Sequence, residues 1–332
     1  MWVEPDVRDE IIGFVRFVVS MSALSTRKLL QLIGIPPSRF YDWIKRQGCV
    51  NRHNGKIPRG HWILDEERKA IIAYCRDKVL LGYRRLTYMM IDEDIAYVCP
   101  ATTYRVLRKA GLLNRWAMPG PSRKGTGFTQ PETIHQHWHT DISYVNILGT
   151  FYFLISVLDG HSRYILHHEL RARMQEYDVE LVIRRAKEKY PGASATLISD
   201  HGPQYISKDF KTYIRESGLQ HVLISAGYPQ SNGKMERFYR TLKSEKIRQS
   251  SFVDISDARA QIQEYVTYYN EERLHSGIYY LTPKEVLKGK MKQRLAERQV
   301  KLDNARRTRR EVARRAASQT TLNQIPCLSI SR

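Results

Sequence analysis

The apolar positions of this chain keep a helical period over its first third and then switch to alternation, and the switch sets the architecture. In "STRKLLQLIGIPPSRFYDWIKRQG" a serine opens a helical pattern that runs to Ile33. A Gly-Ile-Pro-Pro turn follows, and a second helix carries Phe40, Trp43 and Ile44 on one face. Helix, short turn and helix make a helix-turn-helix shape; a small helical bundle with no DNA contact fits the same pattern. "LDEERKAIIAYCRDKVLLGYRRLTYMMIDED" shows an acidic first turn and a long apolar stripe, with Tyr83, Arg84 and Arg85 at a helix start. "CPATTYRVLRKAGLL" predicts one more helix with a glycine stop. On it Thr103, Arg105, Arg108 and Lys109 offer donors to phosphate, whereas Tyr104, Val106 and Leu107 read as packing or turn-facing residues.

"HWHTDISYVNIL", "TFYFLISVLDGH" and "SRYILHHEL" predict three antiparallel strands, the first two joined by a Leu-Gly turn. "MQEYDVELVIRRAKEKY" is an amphipathic helix, "ATLISD" a short buried strand, "SKDFKTYIRESG" a helix and "LQHVLIS" a strand. Two long helices follow in "GKMERFYRTLKSEKIRQ" and "DISDARAQIQEYVTYYNEERLHS". The fold class is therefore α/β: a mixed five-stranded sheet with helices on both faces, preceded by small all-helical domains. Composition places the boundaries at 1–48 (helical), 49–64 (polar linker), 65–113 (second helical unit), 114–133 (basic Pro/Gly linker), 134–288 (α/β core) and 289–332 (basic tail). Over about 290–316 a basic helix lying on DNA and a disordered tail fit equally well.

Charge narrows the partners. A formal net charge of +20 on 332 residues attracts polyanions, of which nucleic acid is the commonest large one. Cys49, Cys75, Cys99 and Cys327 form no ligand-spaced pair, which argues against a zinc knuckle or disulfide scaffold and fits a reducing cytosol. The chain starts without a secretory signal pattern, and "IIGFVRFVVSMSAL" contains Arg16 and is too short to span a bilayer. A cytoplasmic protein with no membrane partner is expected.

Three carboxylates carry the candidate chemistry. Asp141 lies inside the first strand, Asp200 ends the fourth, and Glu236 stands near the start of a long helix, with 35 residues between it and Asp200. That interval accommodates a helix, a strand, a loop and one helical turn. If strands one and four are neighbours, the three acids share one space, where they repel unless divalent cations bind them. Hard oxygen ligands suit two Mg²⁺ ions, with Mn²⁺ substituting, and such a pair activates a hydroxyl and stabilises a leaving oxygen at phosphorus. Each acid also has an ordinary role open to it. Asp141 could pair with Arg163 or a histidine, Asp200 could cap the His201-Gly202 turn, and Glu236 could be a first-turn helix acid. Asp159 is explained by its Asp-Gly turn and is left out of the metal set.

Around these, His201 reads either as a phosphate contact or as a turn residue. "SAGYPQSNGKME" reads as a loop, mobile before substrate binds, with a tight turn at Asn232-Gly233 and Lys234 in reach of phosphate. Arg240 and Lys243 fall one and two turns beyond Glu236, as DNA-backbone contacts or as a plain solvated face. Phe238, Tyr239 and Leu242 include core anchors. His135, His137 and His139 lie on one face of a strand with no further zinc ligand evident, and read mostly as surface or turn residues. His167 and His168 read as strand-end residues.

"WHTDISYV", "LISDHGPQY" and "SNGKMERFYRTLKSE", in that order, resemble the catalytic core of the retroviral-integrase superfamily, and most closely its insertion-sequence transposases with an Asp, Asp, 35 residues, Glu frame. "YYNEERLHSGIYYLTPKEVL" resembles the segment that closes that core, and "GIPPSRFYDWIKR" and "DKVLLGYRRLTYMM" resemble its upstream helices; together the likeness spans roughly residues 25–288. It implies a ribonuclease H-like fold and Asp141, Asp200 and Glu236 as metal ligands, with Lys243 where the family often keeps a basic residue at the element end. It implies metal-dependent cleavage at element ends, then 3′-OH strand transfer into target DNA. It also implies double-stranded DNA as partner, a dimer or larger synaptic homo-oligomer, and a bacterial, nucleoid-associated location. The DNA-contacting set expected is Arg84, Arg85, Arg105, Arg108, Lys109, Lys234, Arg240 and Lys243. Many relatives carry a longer upstream helical region, and the tail after 290 exceeds what the core requires. The competing functions are a non-catalytic DNA-binding or regulatory relative, which a broken triad would indicate, and a ribonuclease H-type nuclease, which would cleave hybrids without joining.

Overall fold

The computed structural model describes residues 3–49, 62–78, 81–113, 130–224 and 232–322. Most of both expected linkers (50–61 and 114–129), the first part of the 225–236 loop and Cys327 lie outside the described residues. The chain forms two compact units, one of Met1–Trp62 with Arg306–Arg332 and one of Ile63–Ala305.

The first unit holds α1 (Pro5–Met21), α2 (Thr26–Leu32) and α3 (Pro37–Ile44) around Ile12, Val15, Leu30, Phe40 and Trp43. Ser25 caps α2 by accepting the Lys28 N–H, and Pro37 opens α3 at a position where its missing N–H has no intrahelical partner to lose. The turn between them bends through Gly34 at φ +72°.

In the second unit α4 (Asp65–Arg76), α5 (Tyr83–Asp92) and α6 (Pro100–Lys109) close on Ile71, Leu86, Met90, Val106 and Leu107. The helix start expected at Tyr83 is the start of α5. Thr103 corrects the expected phosphate donor: it is fully buried, and its hydroxyl is 2.8 Å from that of Thr87.

The sheet contains β1 (His137–Ile147), β2 (Thr150–Asp159), β3 (Ile165–Arg171), β4 (Thr196–Ser199) and β5 (Gln220–Leu223), in the order β3-β2-β1-β4-β5. The first three are antiparallel, while β4 and β5 run parallel to β1. The β1–β2 turn is Leu148-Gly149, both at positive φ, with the Gly149 N–H donated to the Asn146 side chain. Alternation sends Val145 and Ile147 to one face, where they meet Met235, Phe238 and Leu242 of α10 (Gly233–Glu245) and Ile262 and Val266 of α11 (Ile255–Glu271). Trp138 on the other face meets Val182 of α7 (Glu176–Lys189) and Phe210 of α9 (Lys208–Glu216). Two short helices were not expected, α8 (Pro203–Ile206) and α12 (Pro283–Leu287).

Three further expectations change. Asn232-Gly233, expected as a tight turn, forms the N-terminus of α10. His167 and His168 lie within β3 rather than at its end. Of the two forms that fit the basic C-terminal stretch, it takes the helical one, α13 (Met291–Leu322).

Candidate active site

The parallel register of β1 and β4 brings the first two acids together. His139 pairs with Ile198, and two residues further along both strands come Asp141 and Asp200. β1 continues past this point while β4 ends, so Asp200 is exposed on the turn and Asp141 is half-buried within the sheet. The Asp200 Oδ1 accepts the Gly202 N–H at 3.1 Å, which fixes the carboxylate on the turn. Asp141 shares its face of β1 with Val145, the face that α10 covers, and Glu236 is exposed in the first turn of α10.

The charges of these groups meet. Burial first, then Asp200 and Glu236, push the Asp141 carboxyl up to about 6, against the Ile142 N–H and the Lys243 ammonium, which pull it down. Its Oδ1 accepts the Ile142 N–H at 2.8 Å, and among the described residues no ion pair joins it to Arg163 or a histidine. Lys243 therefore lies in the field of the acids. Tyr239, one turn beyond Glu236, ties helix to sheet: its hydroxyl lies 2.6 Å from the Asp141 carbonyl and 3.1 Å from that of Leu154. Sequence reading found Tyr239 as a core anchor from its helical spacing but not this bond, because periodicity reports burial and not where a hydroxyl points.

Among the described residues no group of three or more His, Cys, Asp or Glu side chains is gathered at a spacing that could hold a metal ion. The donor set at this edge of the sheet is all carboxylate oxygen, the chemistry that hard divalent cations take.

Asp159 stands apart, fully buried, and its carboxylate accepts the His135 N–H at 2.8 Å and both the N–H and hydroxyl of Ser162 at 2.7 and 2.6 Å. It organises the turn. Gly160 beside it donates to the His137 carbonyl at 2.7 Å, and a Cβ there would come within 2.9 Å of the His139 ring. His139 is fully buried, which corrects its reading as a surface residue. A central strand covered on both faces has no solvent side to offer it. His135 is a turn residue at φ +57° and accepts from the Trp138 indole N–H.

Besides Lys243, in the field of Asp141, the expected DNA contacts fall into three places. Arg105, Arg108 and Lys109 are exposed together on α6, with Arg105 held back onto Ala101 and Thr102. Lys234 is half-buried, and burial followed by Arg163 draws its ammonium down to about 7. Arg84, exposed at the start of α5, and Arg85, 3.8 Å from Glu245, join Arg240 at one cavity of about 370 Å³. Arg237, Arg273 and His275 line that cavity too and were missed. "NEERLHS" reads in the sequence as the end of a helix, and only the chain's return past α10 shows what its basic residues face.

An integrase core domain matches twice, over residues 131–229 and 217–283. The transposase for insertion sequence element IS904 of Lactococcus lactis subsp. lactis (strain IL1403) is 32% identical over 241 residues, 67% of this chain and 92% of that protein. The putative transposase InsK for insertion sequence element IS150 of Escherichia coli (strain K12) is 25% identical over 265 residues, 78% of this chain and 92% of that protein. Among solved structures, the catalytic core domain of BIV integrase aligns at 18% identity with a TM-score of 0.37, over 48% of this chain and 99% of that one, a likeness too loose to bear on function. The five-stranded mixed sheet with helices on both faces is a ribonuclease H-like core. The chain belongs to the insertion-sequence transposases of the retroviral-integrase superfamily.

Proposed function

We propose that this transposase cleaves DNA at the ends of its element and joins the freed 3′-OH to target DNA. In the first step water attacks a phosphodiester and the P–O3′ bond breaks, leaving a 3′-OH. In the second that hydroxyl attacks a target phosphodiester and displaces the target's own 3′ oxygen, so the number of diesters is conserved. No side chain acts as nucleophile. Asp141, Asp200 and Glu236 would hold two divalent cations, Mg²⁺ with Mn²⁺ able to substitute. The ions, when bound, supply activation of the attacking hydroxyl and stabilisation of the leaving oxygen.

The observation that carries this reading is Asp141: three elements far apart in sequence bring Asp200, Glu236 and Lys243 into its field. A carboxyl raised by burial and then by two other acids is a site that gains from a cation. Tyr239 holds the Asp141 backbone in place. Lys243 steadies phosphate near the acids. Arg84, Arg85, Arg105, Arg108, Lys109 and Arg240 bind the backbone further out, on double-stranded element ends and target. Two ends must be brought together, so the active form is a homo-oligomer of two or more chains.

The test uses supercoiled plasmid carrying candidate element ends, with Mg²⁺, Mn²⁺ or chelator, read on denaturing gels. Metal-dependent nicking and joining are expected from the wild type and neither from Asp200→Asn or Glu236→Gln. Full activity of either variant would remove that residue from the site. Nicking with no joined product would favour a nuclease, and tight binding with no products on correct ends would favour a non-catalytic relative.

A further inference from the structure

None of the three acids lines the cavity of about 370 Å³, but its wall includes Arg237, the residue next to Glu236 on α10. Its walls bring in Arg84 and Arg85 from α5, Arg237 and Arg240 from α10, and Arg273 and His275 from the segment after α11. Five guanidinium groups converge from three parts of the chain. Glu245 takes up part of that charge, as it accepts from Arg273 at 2.8 and 2.6 Å and stands 3.8 Å from Arg85. Arg84, Arg237 and Arg240 form no ion pair with another described residue. His275 adds a donor without adding charge. Its Nδ1 accepts the Gly277 N–H at 3.1 Å, which leaves the ring proton on Nε2. Burial, then Arg273, Arg163, Arg237 and Arg85, hold the imidazole neutral, with its pKa down at about 3.

We propose that this pocket seats a phosphodiester of the DNA backbone and fixes the strand's register relative to the carboxylates. Converging cations without matching acids repel one another, and a bound anion offsets that repulsion. The planar forks of arginine match tetrahedral phosphate oxygens better than they match a point charge. α10 makes the position meaningful: Glu236 and Arg240 are four residues apart on one helix, about 6 Å along its axis, and move as one rod. A phosphate gripped by Arg237 and Arg240 thus sets which diester reaches the acids. That the phosphate comes from DNA rests on the strand-transfer reading; that the pocket takes an anion does not.

The test measures duplex binding by the full-length chain in chelator, across a salt series, so that no chemistry is needed. Arg237→Gln/Arg240→Gln should flatten the dependence of log affinity on log salt by about 0.9, for the one phosphate no longer neutralised, and weaken binding about 10- to 100-fold at low salt. Lys208→Gln/Lys211→Gln removes two exposed cations from α9 and should change the slope little. Asp200→Asn should bind as the wild type does, so a failed cleavage assay and a failed pocket give different results. Melting curves check that each variant folds, and Arg237 and Arg240 are both exposed. An unaltered slope and affinity in the arginine variant would overturn the proposal, as would an equal drop in the lysine variant. Inorganic phosphate raising the melting temperature of the wild type but not of the arginine variant, with the duplex slope unchanged, would assign the pocket to a free anion and overturn the DNA assignment.

Discussion

Asp141 combines two demands that oppose each other. Its carboxyl is raised from near 4 to about 6 by burial and by Asp200 and Glu236. A raised acid pKa means that folding favours the protonated form. The ionised form therefore costs stability, starting as pH rises past the unfolded value near 4 and reaching its full size above about 6. Two pH units correspond to about 3 kcal/mol at most. Asp141→Asn removes that cost while keeping the shape. In chelator at pH 8 the variant should melt roughly 5 °C or more above the wild type, with the gap closing as pH is lowered to 4, and it should have no cleavage activity. Scanning calorimetry at pH 4, 6 and 8 checks this, and an Asn variant no more stable than wild type at pH 8 would contradict it. Divalent cation should then stabilise the wild type more than the variant, since only the wild type keeps all three acids for it.

Among elements, α13 does more than its weak apolar stripe suggests. Arg298, almost fully buried, donates to both oxygens of Asp92 on α5, at 2.8 and 2.5 Å, and to the carbonyls of Tyr279 and Tyr280 at 3.1 and 2.7 Å. Both tyrosines sit at positive φ, and Tyr280 stacks on Tyr88, over which the guanidinium lies at 5.0 Å. Arg298→Ala would leave the half-buried Asp92 with Arg294 alone and the strained turn without its donor. A destabilisation of about 3 kcal/mol is expected, read as an earlier urea midpoint, whereas Lys292→Ala on the exposed side should shift it little. This latch was not legible in the sequence because its partners lie 206 positions apart. The strands and helices were legible, since period and turn residues are local. The expectation that Asp141, Asp200 and Glu236 share one site rests on strand order and the 35-residue interval, which are local too. The cavity arginines and the Asn270 side chain, which pairs with both the N–H and the carbonyl of Ile165 on β3, depend on tertiary return of the chain and left no local signal.

At the scale of the whole molecule, the surplus of +20 divides into cations that hold the fold and cations that face solvent. Arg294, Arg298 and Lys301 belong to the first group, paired with Asp92, Glu285, Glu297 and Asp94. Arg310, Arg314 and Arg315, further along α13, are exposed. Only the second group is free to neutralise DNA phosphates and release the counterions condensed on them, so net charge alone overstates the binding charge. Duplex affinity of the wild type should fall about a thousandfold between 50 and 200 mM salt if some six phosphates are neutralised. Arg310→Gln/Arg314→Gln/Arg315→Gln should reduce the slope by up to about 2.7 and leave the melting temperature near that of the wild type. Arg294→Gln should do the reverse, lowering the melting temperature with little effect on the slope. Fluorescence anisotropy over a salt series, paired with melting curves, separates the two groups. If Arg294→Gln reduced the salt dependence per charge as much as the triple variant does, the ion pairs with Asp92 and Glu285 would have to open on DNA, and α13 would contact the duplex along its whole length.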